Sequence, residues 1–478
     1  MRRLPAAGLF MIAALVAAAP AVTAKTSSTP TNVDVSQRHL NESEEAIAVN
    51  PTNPNNIVIV TNVGHREAGL SAGMFEGISF DGGKTWATKL IGANNDNLGD
   101  ACCDPSLSFD QYGNLFMTYL FQVENTVPIA LSTDGGLTFT QVGNIVAPPQ
   151  GTPTKTSGDN RGLFRFVDQP TVIAGHGEVW VIFNAGGPLF ATGAPVTGAG
   201  QVGSFFGGEV VPNTNNCTYG DISIGPAGQI MQVCTLTESG QGGGKLFVNV
   251  DPDGLGPANF GGRIFVTDTH VGGFDFIPPQ PGRSVDAEPG LAWDRTGGAH
   301  NGRVYLIYTK EVQNEKSDTD IFLRHSDDGG ATWSNAVRVN DDSTTNSQFL
   351  PKLSLDPTTG NLAAVWYDSR RDLGLGGSGD TDGIANDDAQ FWGAFSTDGG
   401  ASFGTNIKIS AGTSNAADSG NGIDFGDYSG LSFYGGLAHP AWSDNSDSTQ
   451  TSMSRSDANV PLPRSGRGEG RPRMRVAG

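Results

Sequence analysis

The sequence predicts an all-β protein, a β-propeller of seven blades that are each a four-stranded antiparallel sheet. The chain has 478 residues, of which 67 are glycine, and it shows short alternating apolar stretches without a long amphipathic helix. A chain of this length would ordinarily form two or three domains. A β motif recurs along it, however, and repeats of this kind are typical of propellers, so we expect one large repeat domain.

The repeat consists of an apolar run with β periodicity, a polar turn and a second β run. Its starts lie roughly 50 to 75 residues apart, which is enough for four strands and their loops. The first runs begin at Glu45, Asp104, Gln169, Asp221, Glu288, Leu350 and Tyr428. The last repeat is short of strands, so we expect the strand-like segment 32–37 to complete it and to close the ring without an open edge.

A second motif, Ser-x-Asp-Gly-Gly followed after one residue by Thr or Ser and an aromatic residue, occurs four times between these hairpins. Its aspartates are Asp81, Asp134, Asp328 and Asp398. In such a turn the carboxylate accepts backbone N–H bonds, and a glycine supplies the positive φ that the turn requires. We expect these four aspartates to be structural.

These four motifs resemble the Asp-box of sialidases and related propellers, and the resemblance covers nearly the whole chain after residue 24. It implies that the turns join the third and fourth strands of a blade, on the face opposite the ligand site. It also implies a site with three arginines that hold a substrate carboxylate, a tyrosine nucleophile paired with a glutamate, and an aspartate acid/base. Bidentate guanidinium groups suit a carboxylate, and a neutral phenol is not repelled by one.

Catalytic candidates of these types are expected where first strands begin, on the face opposite the Asp-box turns. Tyr428 or Tyr219 is the candidate nucleophile and Glu288 its partner. Asp104 or Asp168 is the candidate acid/base. Other acidic residues at strand starts on this face include Glu44, Asp286 and Asp427.

Substrate-binding candidates follow from the same face. Arg66, Arg283 and Arg370 are the candidate carboxylate clamp, and His65 and Arg165 are expected beside it. The predicted function is therefore a sialidase-like glycoside hydrolase that acts, as a monomer, on an acidic glycan or glycoconjugate. A non-catalytic propeller that binds a glycan or a protein is an alternative. A polysaccharide lyase with His65 or a tyrosine as base is another.

The four cysteines divide into two pairs. Cys217 begins one predicted strand and Cys234 ends the next, so a hairpin would place them side by side, and we expect a disulfide between them. Cys102 and Cys103 are adjacent, and the sequence leaves open a vicinal disulfide, two thiols or other partners.

No cofactor is expected, with one candidate exception in a Gly-rich acidic loop at residues 377–388. Its aspartates Asp380, Asp382 and Asp387, with Asp388, offer oxygen ligands for calcium, although their spacing is not that of an EF-hand. A solvated acidic loop is the alternative.

The N-terminal segment predicts that the protein is exported, and the C-terminal segment predicts a disordered tail. An apolar stretch from Leu9 to Ala19 and small residues before Lys25 are typical of a signal peptide at 1–24, cleaved near Ala24, so we expect a secreted or periplasmic protein with its propeller at 25–456. Residues 457–478 are Arg-, Gly- and Pro-rich and are expected to be disordered. The net charge of −20 disfavours nucleic acid and anionic membranes as partners.

Overall fold

The computed structural model has the architecture of a β-propeller. It describes residues 32–38, 42–63, 70–122, 126–146, 167–238, 240–313, 316–419 and 424–446, and the backbone of three strands beyond them. Over these residues the only helix is the short 3₁₀ turn Ala416–Ser419, and no helix there has the length and apolar character to cross a membrane. The expected signal peptide lies outside the described residues.

Blades 1 to 3 are antiparallel sheets whose strands are hydrogen-bonded in the order in which they occur in the chain. Blade 1 comprises Ala46–Val49, Ile57–Asn62, Met74–Ser79 and Ala87–Ile91. Blade 2 comprises Ser106–Phe109, Leu115–Thr118, Val127–Ser132 and Thr140–Ile145. Blade 3 comprises Asp168–Gly175, Glu178–Asn184, Leu189–Gly198 and Gln201–Val202, and Glu209–Val210 also pairs with its third strand.

Blades 4 to 6 repeat this order. Blade 4 comprises Cys217–Ile224, Ile230–Thr237, Gly244–Asp251 and Ile264–Asp268. Blade 5 comprises Gly290–Trp293, Val304–Glu311, Thr319–Ser326 and Val337–Arg338. Blade 6 comprises Gln348–Leu355, Leu362–Asp368, Asp388–Ser396 and Ile407–Lys408, with Ser414–Asn415 paired to its third strand. A two-stranded hairpin, Asp275–Ile277 with Gln280–Val285, connects blades 4 and 5.

The remaining sheet, here called the terminal sheet, is made from both ends of the chain. Its strands Gly430–Tyr434, Leu437–Asp444 and Arg455–Val460 are followed in space by the N-terminal strand Asn32–Asp34. The prediction that the N-terminal segment completes the last sheet is therefore confirmed. The expected count of seven blades is not reached: six blades are each formed by four consecutive strands, and the terminal sheet differs from them because both ends of the chain contribute its strands.

The C-terminal segment differs from the expectation. The third strand of the terminal sheet, Arg455–Val460, crosses the expected domain boundary at residue 456. Two further short strands, Arg473–Met474 and Val476–Ala477, pair with the same sheet. Backbone hydrogen bonding to an available sheet edge thus recruits parts of a segment whose composition predicts disorder.

Serine side chains of the repeat join neighbouring sheets around the central channel. The Oγ of Ser108 in blade 2 accepts a hydrogen bond from the backbone N–H of Ala174 in blade 3, at 2.9 Å. Ser354 of blade 6 bonds Phe433 of the terminal sheet at 3.1 Å, and Ser432 of the terminal sheet bonds Val49 of blade 1 at 3.1 Å. The last bond connects the two ends of the ring, so the inner strands surround the channel without a gap.

The second strands are buried on both sides because each sheet is packed between two others. Every residue of Ile57–Asn62 and of Leu362–Asp368 is buried, which explains why these strands are nearly continuous apolar runs rather than alternating ones. Aromatic side chains fill the space between sheets. Phe391 of blade 6, for example, stacks on Trp442 of the terminal sheet with ring centroids 5.0 Å apart.

Strand register defines the two ends of the channel. In blade 1, Ile57 is paired with Val49 at the end of the first strand and with Ser79 at the end of the third. The turn that holds Asp81 therefore lies where the first strand ends. We call this side the turn end and the opposite side, where first strands begin and second strands end, the mouth.

Candidate active site

Several first strands begin at the mouth with a residue in the left-handed region, although glycine is absent there. The residues are Glu44 (φ 61°), Asp104 (54°), Gln169 (48°), Glu288 (43°) and Leu350 (50°). This conformation costs a non-glycine residue about 1 to 2 kcal/mol, and such strain is concentrated at functional sites. The backbone at the mouth is thus bent in the same way in five sheets, and three of the five residues are acidic.

Hydrogen bonds connect the mouth residues of blades 1 to 3. Asn62, at the end of the second strand of blade 1, donates from Nδ2 to the carboxylate of Glu44, and its Oδ1 accepts the backbone N–H of Asp104 at 2.9 Å. The Oδ2 of Asp104 accepts the backbone N–H of Gln169 at 3.1 Å. The carboxyl group of Asp104 is also hydrogen-bonded to those of Glu44 and Asp168. Three acidic side chains from three blades therefore form a contiguous chain.

The pKa values of these carboxyl groups are raised. Burial raises the pKa of Glu44 to about 7, and the charge of Asp427 adds to the increase. Burial, and then the charges of Glu44, Asp168 and Asp427, raise the pKa of Asp104 well above its usual range. Burial also raises the pKa of Asp168. Because adjacent carboxylates repel one another, this chain retains a shared proton at pH values where an isolated carboxyl group has lost it.

Arg283 is the cation beside this acidic chain. Its guanidinium makes a bidentate pair with Asp427, with Nε 2.7 Å from Oδ1, and its Nη2 lies 3.6 Å from Oε1 of Glu44. The backbone N–H groups of Gly282 and Arg283 both donate to Asp424 at 2.7 Å. Arg283 is thus fixed from both its backbone and its side chain.

Two further acidic groups lie at the mouth between blades 5 and 6. The Oδ1 of Asp286 accepts the backbone N–H of Glu288 at 2.6 Å. Burial raises the pKa of Asp286 to about 7. Burial and the charges of Asp286 and Asp427 raise the pKa of Glu288 well above its usual range, with the charge of Lys352 in opposition. Among the residues that the structure describes, the mouth therefore contains many more acidic than basic groups.

Of the two candidate nucleophiles, the structure describes the side chain of Tyr428 but not that of Tyr219. Tyr428 lines the channel cavity of about 250 Å³, and its hydroxyl donates to the carbonyl oxygen of Pro105 in blade 2 at 3.3 Å. Tyr428 thus reaches across blade 1 and lies close to the acidic chain. Tyr219 belongs to the first strand of blade 4, and its side chain lies outside the described part of the structure.

The expected arginine clamp is not assembled by the residues described. Arg370 is held by its own acidic partners, with Nη2 2.8 Å from Asp368 and Nη1 2.6 Å from Asp341, and its guanidinium lies 4.3 Å from the ring centroid of Trp392. It shares no hydrogen-bond partner with Arg283. Of the proposed substrate-binding residues, only Arg283 is placed at the acidic chain, because Arg370 is turned toward blade 6. Arg66, His65 and Arg165 lie outside the described residues.

Both cysteine pairs form disulfides. The predicted Cys217–Cys234 bridge is confirmed, and it closes a sequence separation of 17 residues. Cys102 and Cys103 form a vicinal disulfide, which settles the alternatives that the sequence left open. Backbone bonds from Cys102 N–H to Leu120 and from Leu120 N–H to Cys103 fix this ring at 2.8 and 2.9 Å. The ring directly precedes Asp104 and so restrains the approach of the chain to the acidic site.

The four motif aspartates at the turn end have the hydrogen bonds that the sequence predicts. In the third motif the Oδ1 of Asp328 accepts the backbone N–H of Thr332 at 2.8 Å, and its Oδ2 accepts the hydroxyl of the same residue at 2.5 Å. Ser326 donates to Oδ1 at 2.7 Å. The motifs of Asp81, Asp134 and Asp398 have the same bonds. These carboxylates hold turns together and lie far along the strands from the mouth.

Sequence reasoning missed Asn62, which connects Glu44 to Asp104. The signal was available, since Asn62 ends a second strand in the same way as Asn184, Asp368 and Asp444 end theirs. Comparing the ends of all second strands would have shown that a polar residue recurs there.

Comparisons with known proteins find similar folds only. No protein-family model matches the chain, and no curated protein does. The Penicillium chrysogenum alpha-L-arabinanase complexed with arabinobiose is similar at 14% identity, over 72% of this chain and 94% of that chain, with a TM-score of 0.42. A PL25 ulvan lyase is similar at 9% identity, over 90% and 96% of the two chains, with a TM-score of 0.47. The Trypanosoma rangeli sialidase is similar at 11% identity, over 71% and 58%, with a TM-score of 0.40.

These structures include glycoside hydrolases and a polysaccharide lyase, all of which act on carbohydrate. At such identities and TM-scores, neither a substrate nor a catalytic residue is transferred from them. The chemistry of this chain has to be argued from its own side chains.

Proposed function

We propose that the protein is a glycoside hydrolase whose proton donor is Asp168, supported by Asp104. The observation that carries this proposal is the hydrogen-bonded contact between these two carboxyl groups at the mouth of the channel. Glycoside hydrolysis needs one carboxylic acid that keeps its proton near neutral pH and a second carboxyl group that is ionised. Asp168 is partly exposed while Asp104 is buried behind it, so Asp168 is the member that a substrate reaches.

Asp427 is the ionised carboxyl group in this proposal. Its bidentate pair with Arg283 places it beside the acidic chain. Asp168 would protonate the glycosidic oxygen, and Asp427 would stabilise the positive charge that develops on the sugar or activate a water for attack. Tyr428 as a nucleophile with Glu288 as its partner, which the resemblance to sialidases implies, is the competing assignment within the same site.

The acidic groups of the mouth favour a glycan unit that carries no negative charge, because each of them that loses its proton would repel an anion. Six acidic side chains gather there, from Glu44, Asp104, Asp168, Asp286, Glu288 and Asp427. Arg283 is already neutralised by Asp427, so it does not offer a free guanidinium to a substrate carboxylate. We therefore propose a neutral glycan in place of the acidic glycan that the sequence suggests.

A non-catalytic glycan-binding propeller is the second candidate, and one observation favours it. Phe274 and Phe276, beside and within the hairpin that leads to Arg283, are 68% and 55% exposed. Exposed aromatic rings at the rim of a site are typical of surfaces that stack on sugars or on another protein. A lyase would depend on His65 or a tyrosine as base.

The proposal includes the architecture and location that the sequence suggests. The terminal sheet would serve as the seventh blade of the ring, and the protein would be exported after cleavage near Ala24. It would act as a monomer.

The test uses purified protein and a panel of aryl glycosides of neutral pentoses and hexoses, together with an aryl sialoside. We expect hydrolysis of at least one neutral glycoside, and a loss of at least about 100-fold in turnover for Asp168→Asn because general acid catalysis is removed. Asp398→Asn, at the turn end, is the matched control and should retain turnover. An aryl glycoside with a good leaving group should be affected less than one with a poor leaving group.

Two results would contradict the proposal. Cleavage of the sialoside alone, with Tyr428→Phe inactive and Asp168→Asn active, would favour the tyrosine nucleophile. Absence of all cleavage, with glycan binding that is lost in a Phe274→Ser and Phe276→Ser double variant, would favour the binding protein.

A further inference from the structure

The loop between the second and third strands of blade 6 gathers five carboxylates that the proposed hydrolysis does not use. Asp372, Asp387 and Asp388 form one group, and Asp380, Asp382 and Asp388 form a second group that shares a member with the first. Within each group the candidate ligand oxygens lie within 4.8 Å of one another. Two oxygens that bind the same ion at about 2.4 Å are separated by at most twice that distance, so each group has the size of a cation site.

Asp372 provides an independent indication of a missing ligand. Its side chain is fully buried. One oxygen, Oδ2, accepts the backbone N–H groups of Asp387 and Asp388 at 2.7 and 2.8 Å. The other, Oδ1, is buried and receives no backbone N–H, amide or hydroxyl donor from the described residues, and the same holds for Oδ1 of Asp387, whose carboxyl group is in contact with that of Asp372. A buried carboxylate oxygen without a donor is costly, whereas an ion would satisfy it.

The remaining hydrogen bonds hold the loop around these oxygens. Asp380 accepts the backbone N–H of Gly376 at 2.7 Å and that of Gly383 at 2.6 Å. Asp388 accepts the hydroxyl of Thr381 at 2.9 Å. The loop is therefore folded by the same carboxylates that would bind the ion, in a manner common to oxygen-liganded calcium loops.

Among the described residues, no positive side chain neutralises this cluster. Across these ranges, no Lys, Arg or His makes an ion pair with any of the five aspartates. Five carboxyl groups whose oxygens lie within ligand distance of one another are thus left without a compensating cation.

We propose that Asp372, Asp380, Asp382, Asp387 and Asp388 bind Ca²⁺. All the candidate ligand atoms are oxygens. Calcium binds six to eight oxygen ligands in irregular geometry, whereas Mg²⁺ requires a compact octahedron and retains its waters. The sequence indicates Asp380, Asp382, Asp387 and Asp388 as a calcium candidate. The structure shows that Asp388 belongs to both groups, and it adds Asp372, which lies outside the Gly-rich loop and is as fully buried as Asp388. This proposal does not depend on the proposed hydrolysis.

The test measures calcium binding by calorimetry and thermal unfolding on the whole protein after treatment with a chelator. We expect Ca²⁺ to bind stoichiometrically and to raise Tm by at least about 2 °C, since a ligand that binds only the folded state stabilises it. The same concentration of Mg²⁺ should raise Tm less. Asp372→Asn should fold, because the amide oxygen can accept the two backbone N–H groups and its NH₂ can donate to Asp387, but it should lose the calcium response.

Asp418→Asn removes an exposed carboxylate outside the cluster and should respond to calcium as the wild type does. The proposal is overturned if the wild type binds no calcium, or if Asp372→Asn responds to calcium as the wild type does. A response to Mg²⁺ as large as that to Ca²⁺ would overturn the assignment of the ion, and loss of the response in Asp418→Asn would show that the effect is not local.

Discussion

The same residue type occupies opposite electrostatic environments at the two ends of this propeller. At the turn end, hydrogen bonds from the hydroxyl and backbone N–H of Thr332 lower the pKa of Asp328 to about 2. At the mouth, burial and the charges of Glu44, Asp168 and Asp427 raise the pKa of Asp104 well above its usual range. The aspartate at the turn end is surrounded by donors, while the aspartate at the mouth is surrounded by other carboxyl groups.

The comparison shows that the groups in contact with a carboxylate, rather than its exposure to solvent, decide whether it has a structural or a chemical role. Asp328 is exposed and accessible, yet its oxygens are already bonded within the turn. Asp104 is buried, yet its contact with partly exposed Asp168 places a shared proton next to the channel. At the mouth, neighbouring carboxyl groups repel one another and non-glycine residues have positive φ, whereas the motif aspartates of the turn end are surrounded by hydrogen-bond donors.

The largest expected effect is on the pH dependence of stability. Glu44 has a folded-state pKa of about 7, raised by burial from the model-peptide value of 4.5. A group whose pKa is raised on folding binds its proton more tightly in the folded state, so its contribution is fully present below about pH 4.5 and is lost as the pH rises through 7. For Glu44 this amounts to about 3 kcal/mol, and Asp286 acts in the same direction.

We therefore expect the free energy of unfolding, measured in urea, to increase as the pH falls from 8 to 5. Asp328 has the opposite sign, because its lowered pKa gives stability that is lost only as the pH falls toward 2. Glu44→Gln should flatten the profile between pH 5 and 8. If the free energy of unfolding at pH 5 is the same as at pH 8 or lower, in wild type and variant alike, the carboxyl groups of the mouth do not repel one another as described.

A bidentate Arg–Asp pair at each end allows a direct comparison of the two environments. Arg283 binds Asp427 at the mouth, where Arg283 is also 3.6 Å from buried Glu44. Arg303 binds Asp327 at the turn end with N to O distances of 2.7 and 2.8 Å, and Asp327 is 62% exposed. The Arg283 and Asp427 side chains are 37% and 23% exposed, but they lie beside buried Glu44. Because removing the guanidinium leaves these two acidic groups uncompensated, Arg283→Met should lower the free energy of unfolding by about 2 kcal/mol.

Arg303→Met should lower it by less than about 1 kcal/mol, since exposed pairs contribute little. Adding Asp427→Asn to Arg283→Met should restore part of the loss, and a double-mutant cycle measures that coupling. Equal losses for Arg283→Met and Arg303→Met would mean that the two ends do not differ as described.

The fold was more accessible from the sequence than the site was. The recurring hairpins and the motif aspartates, such as Asp81, report local geometry, and they predict the strand order and the turn bonds. The N-terminal strand could be assigned because an incomplete last repeat leaves a sheet edge that needs a partner. The third strand of the terminal sheet, Arg455–Val460, extends past the boundary expected at residue 456, because the residues that follow this boundary resemble a disordered tail in composition.

The site could be predicted only in part, because it depends on side-chain directions across different blades. Asp104, Asp168 and Arg283 were placed at the mouth by strand order alone, and they do meet there. Arg370 was expected to join them for the same reason. A local pair with Asp368, two residues earlier, instead fixes its guanidinium, and strand order carries no information about such a pair.

The smallest expected effect comes from the turn end. Asp328→Ala removes bonds from Thr332 and Ser326, and because the turn is exposed the loss should be about 1 kcal/mol of unfolding free energy. Any glycan binding or hydrolysis should be unchanged. Loss of glycan activity in a folded Asp328→Ala protein would place the functional site at the turn end.

The most direct test of the contrast between the two ends is the titration of individual carboxyl groups. NMR of protein labelled with ¹³C at aspartate Cγ would follow the groups, with Asp104→Asn, Asp168→Asn and Asp328→Asn used to assign their signals. We expect the signal that Asp328→Asn removes to titrate near pH 2, and those that Asp104→Asn and Asp168→Asn remove to titrate above the usual range of aspartate. Titration of all three groups near pH 4 would contradict the account, because the mouth would then hold no shared proton.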